Sequence, residues 1–284
     1  MKTKKLVQFA GFLLLRVCLY LVLAVLLILL YDIGSKGGGS ISWEFLSKPP
    51  RRGMTEGGIF PAIFGTFLVT IVTAVLAIPL GMFTAIYLNE YARQGRLTRL
   101  IRLSIRNLSG VPSIVYGLFG VILFVNIFKF GTSILSAGLT LGLMTLPWTI
   151  TASEEALKTI PNSYREGSLA LGATKWQSIR TNVLPYAMPG MLTGTVLGLA
   201  RAAGETAPIM FTGAAFFLPM LPKSLSDQFM ALPYHLYIMA TQHHDIAKVR
   251  PLAYGTALVL IALVLGLNMT AVVLRFRLRR KRRM

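Results

Sequence analysis

The sequence predicts an all-α integral membrane protein with six transmembrane helices, and three observations carry that expectation. Of its 284 residues 54% are hydrophobic and only 14% charged, with a mean hydropathy of +0.64, whereas a soluble domain carries about a quarter charged residues. Six apolar runs approach the roughly 20 helical residues needed to cross a hydrocarbon core about 30 Å thick. The basic residues, which give a formal net charge of +19, sit in clusters between those runs.

The runs are approximately 9–30, 59–88, 111–128, 134–150, 188–211 and 251–274. Helices are expected because an open strand in lipid leaves backbone groups unpaired, and barrel strands would be about half as long. The first run follows Met1-Lys2-Thr3-Lys4-Lys5. It exceeds a signal-peptide apolar region and no small-x-small cleavage site follows it, so a retained first helix is expected. The second run is long and the fourth short, each interrupted or bordered by glycine and proline. Pro79, Pro112 and Pro208 are expected inside spans as static kinks.

Orientation follows from the lysine and arginine distribution. A cytoplasmic N-terminus places nineteen basic residues inside against eight outside, leaving Arg16 and Arg201 within spans. Both termini are therefore expected in the cytoplasm. The charge acts as a topology signal and an attraction to anionic membrane lipid. Nucleic acid is not an expected partner: the basic residues form no patch on a soluble face, and no zinc-finger spacing or aromatic RNA-binding motif accompanies them. Arginines recur every three to four residues over 93–106, with Leu97, Leu100, Ile101 and Leu103 between them, which predicts an amphipathic helix along the inner interface. Three units result: a first helix and outer loop over 1–58, a transmembrane core over 59–274, and a basic cytoplasmic tail over 275–284.

Within the core, 154–186 is the one long polar stretch expected on the cytoplasmic side. Pro161 breaks the preceding helix. Ser163-Tyr164-Arg165-Glu166 fits a capping box, and the helix it opens ends at Gly172, suited to a left-handed conformation. Thr174-Lys175-Trp176-Gln177 supplies a second capping box, opening a helix expected to stop at Leu184-Pro185. Two short helices joined by a glycine turn cannot bury Leu169, Leu171, Trp176 and Ile179 by themselves. They either dock into a groove on a partner or pack on the protein's own inner face.

Glu166-Gly167-Ser168, then Gly172, then Leu184-Pro185 resemble the EAA loop of ABC-importer permeases, with glycine and serine for the two alanines and Asn182 where isoleucine is usual. The stretches Ser109-Gly110-Val111-Pro112-Ser113-Ile114-Val115-Tyr116-Gly117 and Arg201-Ala202-Ala203-Gly204-Glu205-Thr206-Ala207-Pro208 resemble motifs of the phosphate-importer permeases, and the whole chain is similar in order and length to the PstA-type subunits. That resemblance implies a type I ABC importer permease fold in a bacterial cytoplasmic membrane. It also implies a PstC-like second permease, a PstB-like ATPase dimer and a phosphate-binding protein as partners. Ser163, Glu166, Gly172, Trp176, Leu184 and Pro185 become the expected ATPase-coupling residues. No Gly-x-x-x-x-Gly-Lys-Ser/Thr stretch occurs, so ATP hydrolysis is expected on a partner chain, and no cofactor is expected.

Arg201 and Glu205 stand four residues apart in the fifth apolar run, hence on one helix face. An arginine at a helix centre in lipid costs about 2.5–3.5 kcal/mol, so it should face a polar interior. One reading is an ion pair that locks helix packing. The other is a substrate path in which Arg201 meets phosphate, its fork of donors matching a tetrahedral oxyanion, while Glu205 holds the guanidinium when the path is empty. Sulfate, molybdate or phosphonate would meet the same arginine. A secondary transporter would have no need of the elaborated loop, and a membrane enzyme would require a Gly-x-Ser-x-Gly or His-Glu-x-x-His constellation that is missing. His243-His244-Asp245 is read as no metal site, since adjacent histidines do not share a helix face. The 219–250 stretch is expected as an outer loop contacting the binding protein or partner subunit, and Gly37-Gly38-Gly39-Ser40 as a flexible one. Cys18 is the sole cysteine, which excludes an internal disulfide.

Overall fold

The computed structural model describes residues 2–280. In chain order the elements are α1 (Lys2–Gly37), α2 (Trp43–Ser47), the strands β1 (Pro50–Arg51) and β2 (Glu56–Gly57), α3 (Phe60–Ile86), α4 (Arg96–Leu108), α5 (Ser113–Gly120) and α6 (Ile134–Lys158). There follow α7 (Ser163–Ala170), α8 (Lys175–Ser178), α9 (Leu184–Ala202), α10 (Ala207–Thr212), α11 (Leu232–Thr241) and α12 (Ile246–Arg280). The strands pair antiparallel, Pro50 opposite Gly57 and Arg51 opposite Glu56. Of the expected basic tail, residues 281–284 lie outside the described residues.

Five helical stretches are long and apolar enough to cross a membrane: Gln8–Ser40, Phe60–Tyr91, Ile134–Lys158, Lys175–Ala202 and Ile246–Arg277. The sixth expected crossing differs from the others. It is a broken pair, Arg96–Leu108 and Ser113–Ile127, bent by 101°. The first member is the expected amphipathic helix, with Leu97, Leu100 and Leu103 more than half exposed. The turn from it into α5 falls at Gly110 and Pro112; Pro112 is extended (ψ 140°) and caps α5, as a residue whose ring is incompatible with continuing the incoming helix must.

The core is built from α3, α6 and α9, and small residues set how closely they approach. Gly190, Gly194 and Gly198 recur every four residues on one face of α9; a Cβ on each would lie 2.9, 2.4 and 2.7 Å from Ala156, Ala152 and Trp148 of α6. The descending partner numbers make this pair antiparallel. Between α3 and α6 the partners ascend together, with Gly138 against Val72, Gly142 against Leu76 and Gly81 against Thr149, so these two run parallel. In a membrane, where lipid tails are as apolar as leucine, such close backbone approach is what drives helices together. Several buried hydroxyls at these interfaces are satisfied locally: Thr73, Thr140, Thr145 and Thr195 each donate to the carbonyl four residues earlier, whereas Thr149 and Ser153 on α6 are buried without a partner among the described residues.

At one end of the bundle α1 meets the start of α12, where a Cβ on Gly37 would lie 2.7 Å from the Tyr254 backbone. Gly38–Ser40 continues as a helical turn, so where a loop was expected the chain forms a helix end at which Gly37 needs to be glycine for contact, while Gly38 and Gly39 have open space around them. The 219–250 stretch is likewise more than a surface loop. Phe229, Met230, Ala231 and Leu232 are all at most 1% exposed, and Leu232 N–H donates to Thr66 Oγ1 at 2.8 Å. Gly65 makes room for this plug, since a Cβ there would lie 2.1 Å from Met230 O. His243 serves the same end: its Nδ1 accepts from Asp245 N–H (3.0 Å), which leaves the proton on Nε2 to donate to Gly53 O (2.6 Å). Among the described residues no cluster of potential metal ligands occurs.

Pro79 lies inside α3, but Pro208 opens α10, as Pro112 opens α5. These last two prolines mark breaks between helices and not kinks within spans.

Candidate functional site

The two stretches singled out in the sequence, 109–117 and 201–208, converge on one cavity of about 270 Å³. The α4–α5 turn supplies Leu108 to Ser113 and Tyr116; α6 supplies Met144, Thr145 and Trp148; the end of α9 and the segment after it supply Gly198, Arg201 and Glu205. Local chemistry fixes each wall. Tyr116 donates to Leu108 O across the bend at 2.9 Å, and Trp148 Nε1 donates to Gly194 O at 3.2 Å. Gly198 is obligatory beside that indole, because a Cβ would lie 2.7 Å from Trp148 Cδ1.

Arg201 and Glu205 do not share a continuous helix, contrary to expectation. The expected fifth span over 188–211 ends at Ala202, where Gly204 N–H and Glu205 N–H turn back onto Arg201 O (3.0 Å) and Ala202 O (3.1 Å). The cause is Pro208 at the start of α10, whose fixed φ and missing N–H favour a new helix start over continuation. The break brings the pair together across a turn and leaves it loose: Arg201 Nε stands 3.7 Å from Glu205 Oε1, with the side chains 66% and 18% exposed. That distance is a charge contact without a hydrogen bond. Among the described residues the Arg201 guanidinium makes no hydrogen bond, so its donors are unspent beside the cavity it helps to line.

Facing it is the first turn of α5. Val115 N–H already bonds Pro112 O, whereas Ser113 and Ile114 hold first-turn amides that a helix leaves without intrahelical partners. Such a terminus attracts anions. Cation, helix N-terminus and the Ser113 hydroxyl, beside an indole whose N–H is held by Gly194 O, make a chamber suited to a small oxyanion.

The second set of expected residues lies at the far end of the bundle. Gly172 adopts φ +84° with nothing within 4 Å of a Cβ, and Thr174 and Gln177 form the capping box reciprocally (3.3 and 2.8 Å). The Ser163–Glu166 box does not form. The α7 turn begins earlier, with Tyr164 N–H on Pro161 O (3.2 Å) and both Arg165 N–H and Glu166 N–H on Asn162 O (2.8 and 2.9 Å). Proline preorganises that first turn, which displaces Ser163 from the cap into the helix. Nor does the second helix stop at Leu184-Pro185. It runs on into α9 through a wide turn over Ile179–Val183, closed by Leu184 N–H on Ile179 O; the wider spacing accommodates a proline that offers no N–H of its own.

Glu166, Ser163, Gly172 and Trp176 therefore sit on an exposed tip, while Leu184 and Pro185 are half-buried at its root. Of the four apolar residues said to need a cover, Leu169 (46% exposed), Leu171 (90%) and Trp176 (49%) remain uncovered, whereas Ile179 is buried. Gly167 has open space around it, so the alanine usual at that place would fit. Ser168 Oγ meets Ser178 Oγ at 2.5 Å and ties α7 to α8.

Two ion pairs beneath the tip were not anticipated. Arg165 grips Glu90 at 2.7 and 3.1 Å and also donates to Ile160 O and Leu157 O; Arg102 bonds Glu154 Oε1 and Leu88 O, both at 2.8 Å. Glu90 and Glu154 side chains are only 5% and 8% exposed. The available signal was an acidic residue at the end of an apolar run, but Arg93 and Lys158, three and four residues on, offered nearer cations than the partners actually used.

A sequence model of the family described as binding-protein-dependent transport system inner membrane component matches residues 77–284. The chain is 38% identical over 229 residues to the phosphate transport system permease protein PstA 1 of Mycobacterium tuberculosis (strain ATCC 25618 / H37Rv), covering 80% of this chain and 73% of that one. It is 31% identical over 266 residues to the probable ABC transporter permease protein YqgI of Bacillus subtilis (strain 168), covering 89% and 90%. Among solved structures, a bacterial ABC transporter involved in the import of the acidic polysaccharide alginate aligns with a TM-score of 0.65 at 14% identity, over 93% of this chain and 95% of that one. The inward-facing MetNI methionine ABC transporter aligns at 0.58 and 19% identity, over 78% and 94%. At such identities the structural likeness speaks for the fold alone, that of type I ABC importer permeases. This chain belongs to the binding-protein-dependent transport system inner membrane components, as a membrane-spanning permease.

Proposed function

We propose that this permease carries inorganic phosphate, in a complex powered by a separate ATPase. The observation that carries the reading is the chamber in which the unengaged Arg201 guanidinium faces the α5 N-terminus. A guanidinium binds a tetrahedral oxyanion through two parallel donors, and helix N-terminal amides add neutral ones. Only one full positive charge faces the chamber, partly offset by Glu205, so an anion is held weakly enough to leave again. The likeness to the mycobacterial phosphate transport system permease protein supports phosphate as the anion.

The end of the bundle bearing α7 and α8 is the cytoplasmic one in this reading, on the strength of the basic residues gathered there. Both chain ends lie on that side, in a bacterial cytoplasmic membrane. The exposed tip then docks an ATPase dimer of the PstB kind, with Leu169, Leu171 and Trp176 as its apolar contacts and Glu166 beside them. A second, PstC-like permease completes the path, and a phosphate-binding protein delivers cargo at the opposite end. This subunit itself catalyses no reaction.

The test is uptake of labelled phosphate into proteoliposomes holding the chain with its permease partner, ATPase and binding protein, with unlabelled sulfate and molybdate as competitors. ATP-dependent uptake that neither competitor reduces supports the reading. Transport of another oxyanion in place of phosphate overturns the substrate.

A further inference from the structure

The two buried ion pairs converge on one short segment. Tyr87–Tyr91, the widened final turn of the second span, is held from one side by Arg102 of the interface helix, through Leu88 O, and from the other by Arg165 of the docking tip, through Glu90. The same two arginines reach the end of α6: Arg102 at Glu154, Arg165 at Leu157 O and Ile160 O. Lys175 at the start of α8 adds a contact, its Nζ 5.0 Å from the Tyr91 ring centroid. The tip thus has no soft connection to the bundle at this point. Its α7 is pinned by four hydrogen bonds from one side chain to the ends of two spans.

We infer that Arg165 is the positioning residue that transmits movement of the α7–α8 tip to the anion chamber, through Glu90 and the α6 terminus. The inference rests on the permease reading above and adds a route to it. A guanidinium suits the task because its planar fork fixes direction as well as distance, which an ammonium does not. Burial of the pair keeps water from loosening it, so displacement of α7 must displace the ends of α3 and α6 with it. From there the path is short and stiff. Leu157 lies on α6 about two and a half helical turns from Trp148 and just over three from Thr145, which form the chamber wall. Close contact of Gly194 and Gly198 with Ala152 and Trp148 passes the same movement to α9, whose last turn bears Arg201. Helices packed at this density move as bodies.

The expected consequence separates two properties a structural role would move together. Breaking the tie should leave the ATPase bound to its exposed tip while the chamber ceases to respond. The experiment uses the complete complex with Cys18→Ala and a reporter on the chamber wall away from the α6–α9 contact, Ser109→Cys, labelled by a membrane-impermeant maleimide with and without a non-hydrolysable ATP analogue. With Arg165 present, labelling rates in the two states should differ several-fold. With Arg165→Gln or Glu90→Gln the ATPase should still co-purify and the difference should collapse to near one. Arg165→Lys should give an intermediate value.

A nucleotide response unchanged in both Gln variants overturns the inference, as does its absence with Arg165 present. Loss of ATPase binding in both variants also overturns it, since the pair would then shape the docking surface and not transmit from it. The readout does not depend on the cargo. Failure of phosphate uptake by the unaltered complex would defeat the substrate reading and leave this test standing.

Discussion

Two arginine–glutamate pairs in this molecule have the same chemistry and opposite surroundings. Arg165 and Glu90 meet at 2.7 Å with 18% and 5% of their side chains exposed, whereas Arg201 and Glu205 stand 3.7 Å apart with 66% and 18% exposed. The first pair spends its donors on the protein: two contacts to a carboxylate and two to carbonyls. The second keeps its donors for something else. The difference arises from the backbone. Arg165 projects from an intact helix onto the ends of two others, while Arg201 and Glu205 flank a break that Pro208 imposes, and a turn cannot align a fork with a carboxylate so closely. A tight buried pair holds parts together; a loose pair beside a cavity is available to an incoming anion.

The largest effect should follow from cutting the tight pair. Glu90→Ala leaves the Arg165 charge buried without its partner, which should cost about 3–5 kcal/mol and appear as a markedly lowered thermal unfolding midpoint in detergent. Arg201→Gln should leave that midpoint unchanged yet lower phosphate uptake by roughly 10- to 100-fold, the worth of one or two charge-assisted hydrogen bonds. Reversed outcomes, with Arg201→Gln unfolding and Glu90→Ala harmless, would break the comparison. Gly194→Val, on the helix face beneath the chamber, should cost about 1–3 kcal/mol by overpacking against Ala152, read from the same melting curves. Gly172→Ala should cost about 1 kcal/mol, because its φ of +84° penalises any Cβ although space is open. Glu205→Gln should be the mildest for stability, below about 1 kcal/mol, as for an exposed ion pair.

Much of this was legible in the sequence, and the misses share a cause. Apolar run lengths located five spans, the Thr174–Gln177 box and the left-handed Gly172 formed as local signals dictate, and the two motifs flanking the chamber were both identified. What local signals could not supply was the effect of prolines on neighbours. Pro112 and Pro208 break their runs outright, Pro161 moves the cap of the next helix to Asn162, one residue before the expected Ser163, and Pro185 is absorbed by a wide turn where a stop was expected. Each outcome depends on whether tertiary packing offers a partner for the freed carbonyl. The pairs Arg165–Glu90 and Arg102–Glu154 join residues 75 and 52 apart, a separation to which helical periodicity is blind. The Phe229 plug was hidden because a short apolar stretch among polar residues reads as a loop until its pocket, opened by Gly65, is seen.

The most direct measurement of the central claim is ATP-dependent phosphate uptake by the reconstituted complex carrying Arg201→Gln, beside the unaltered complex, with ATPase binding quantified in both. A well-assembled complex whose uptake is lowered by roughly 10- to 100-fold is the predicted result. Uptake equal to that of the unaltered complex would show that the anion does not pass by Arg201, and would contradict the account.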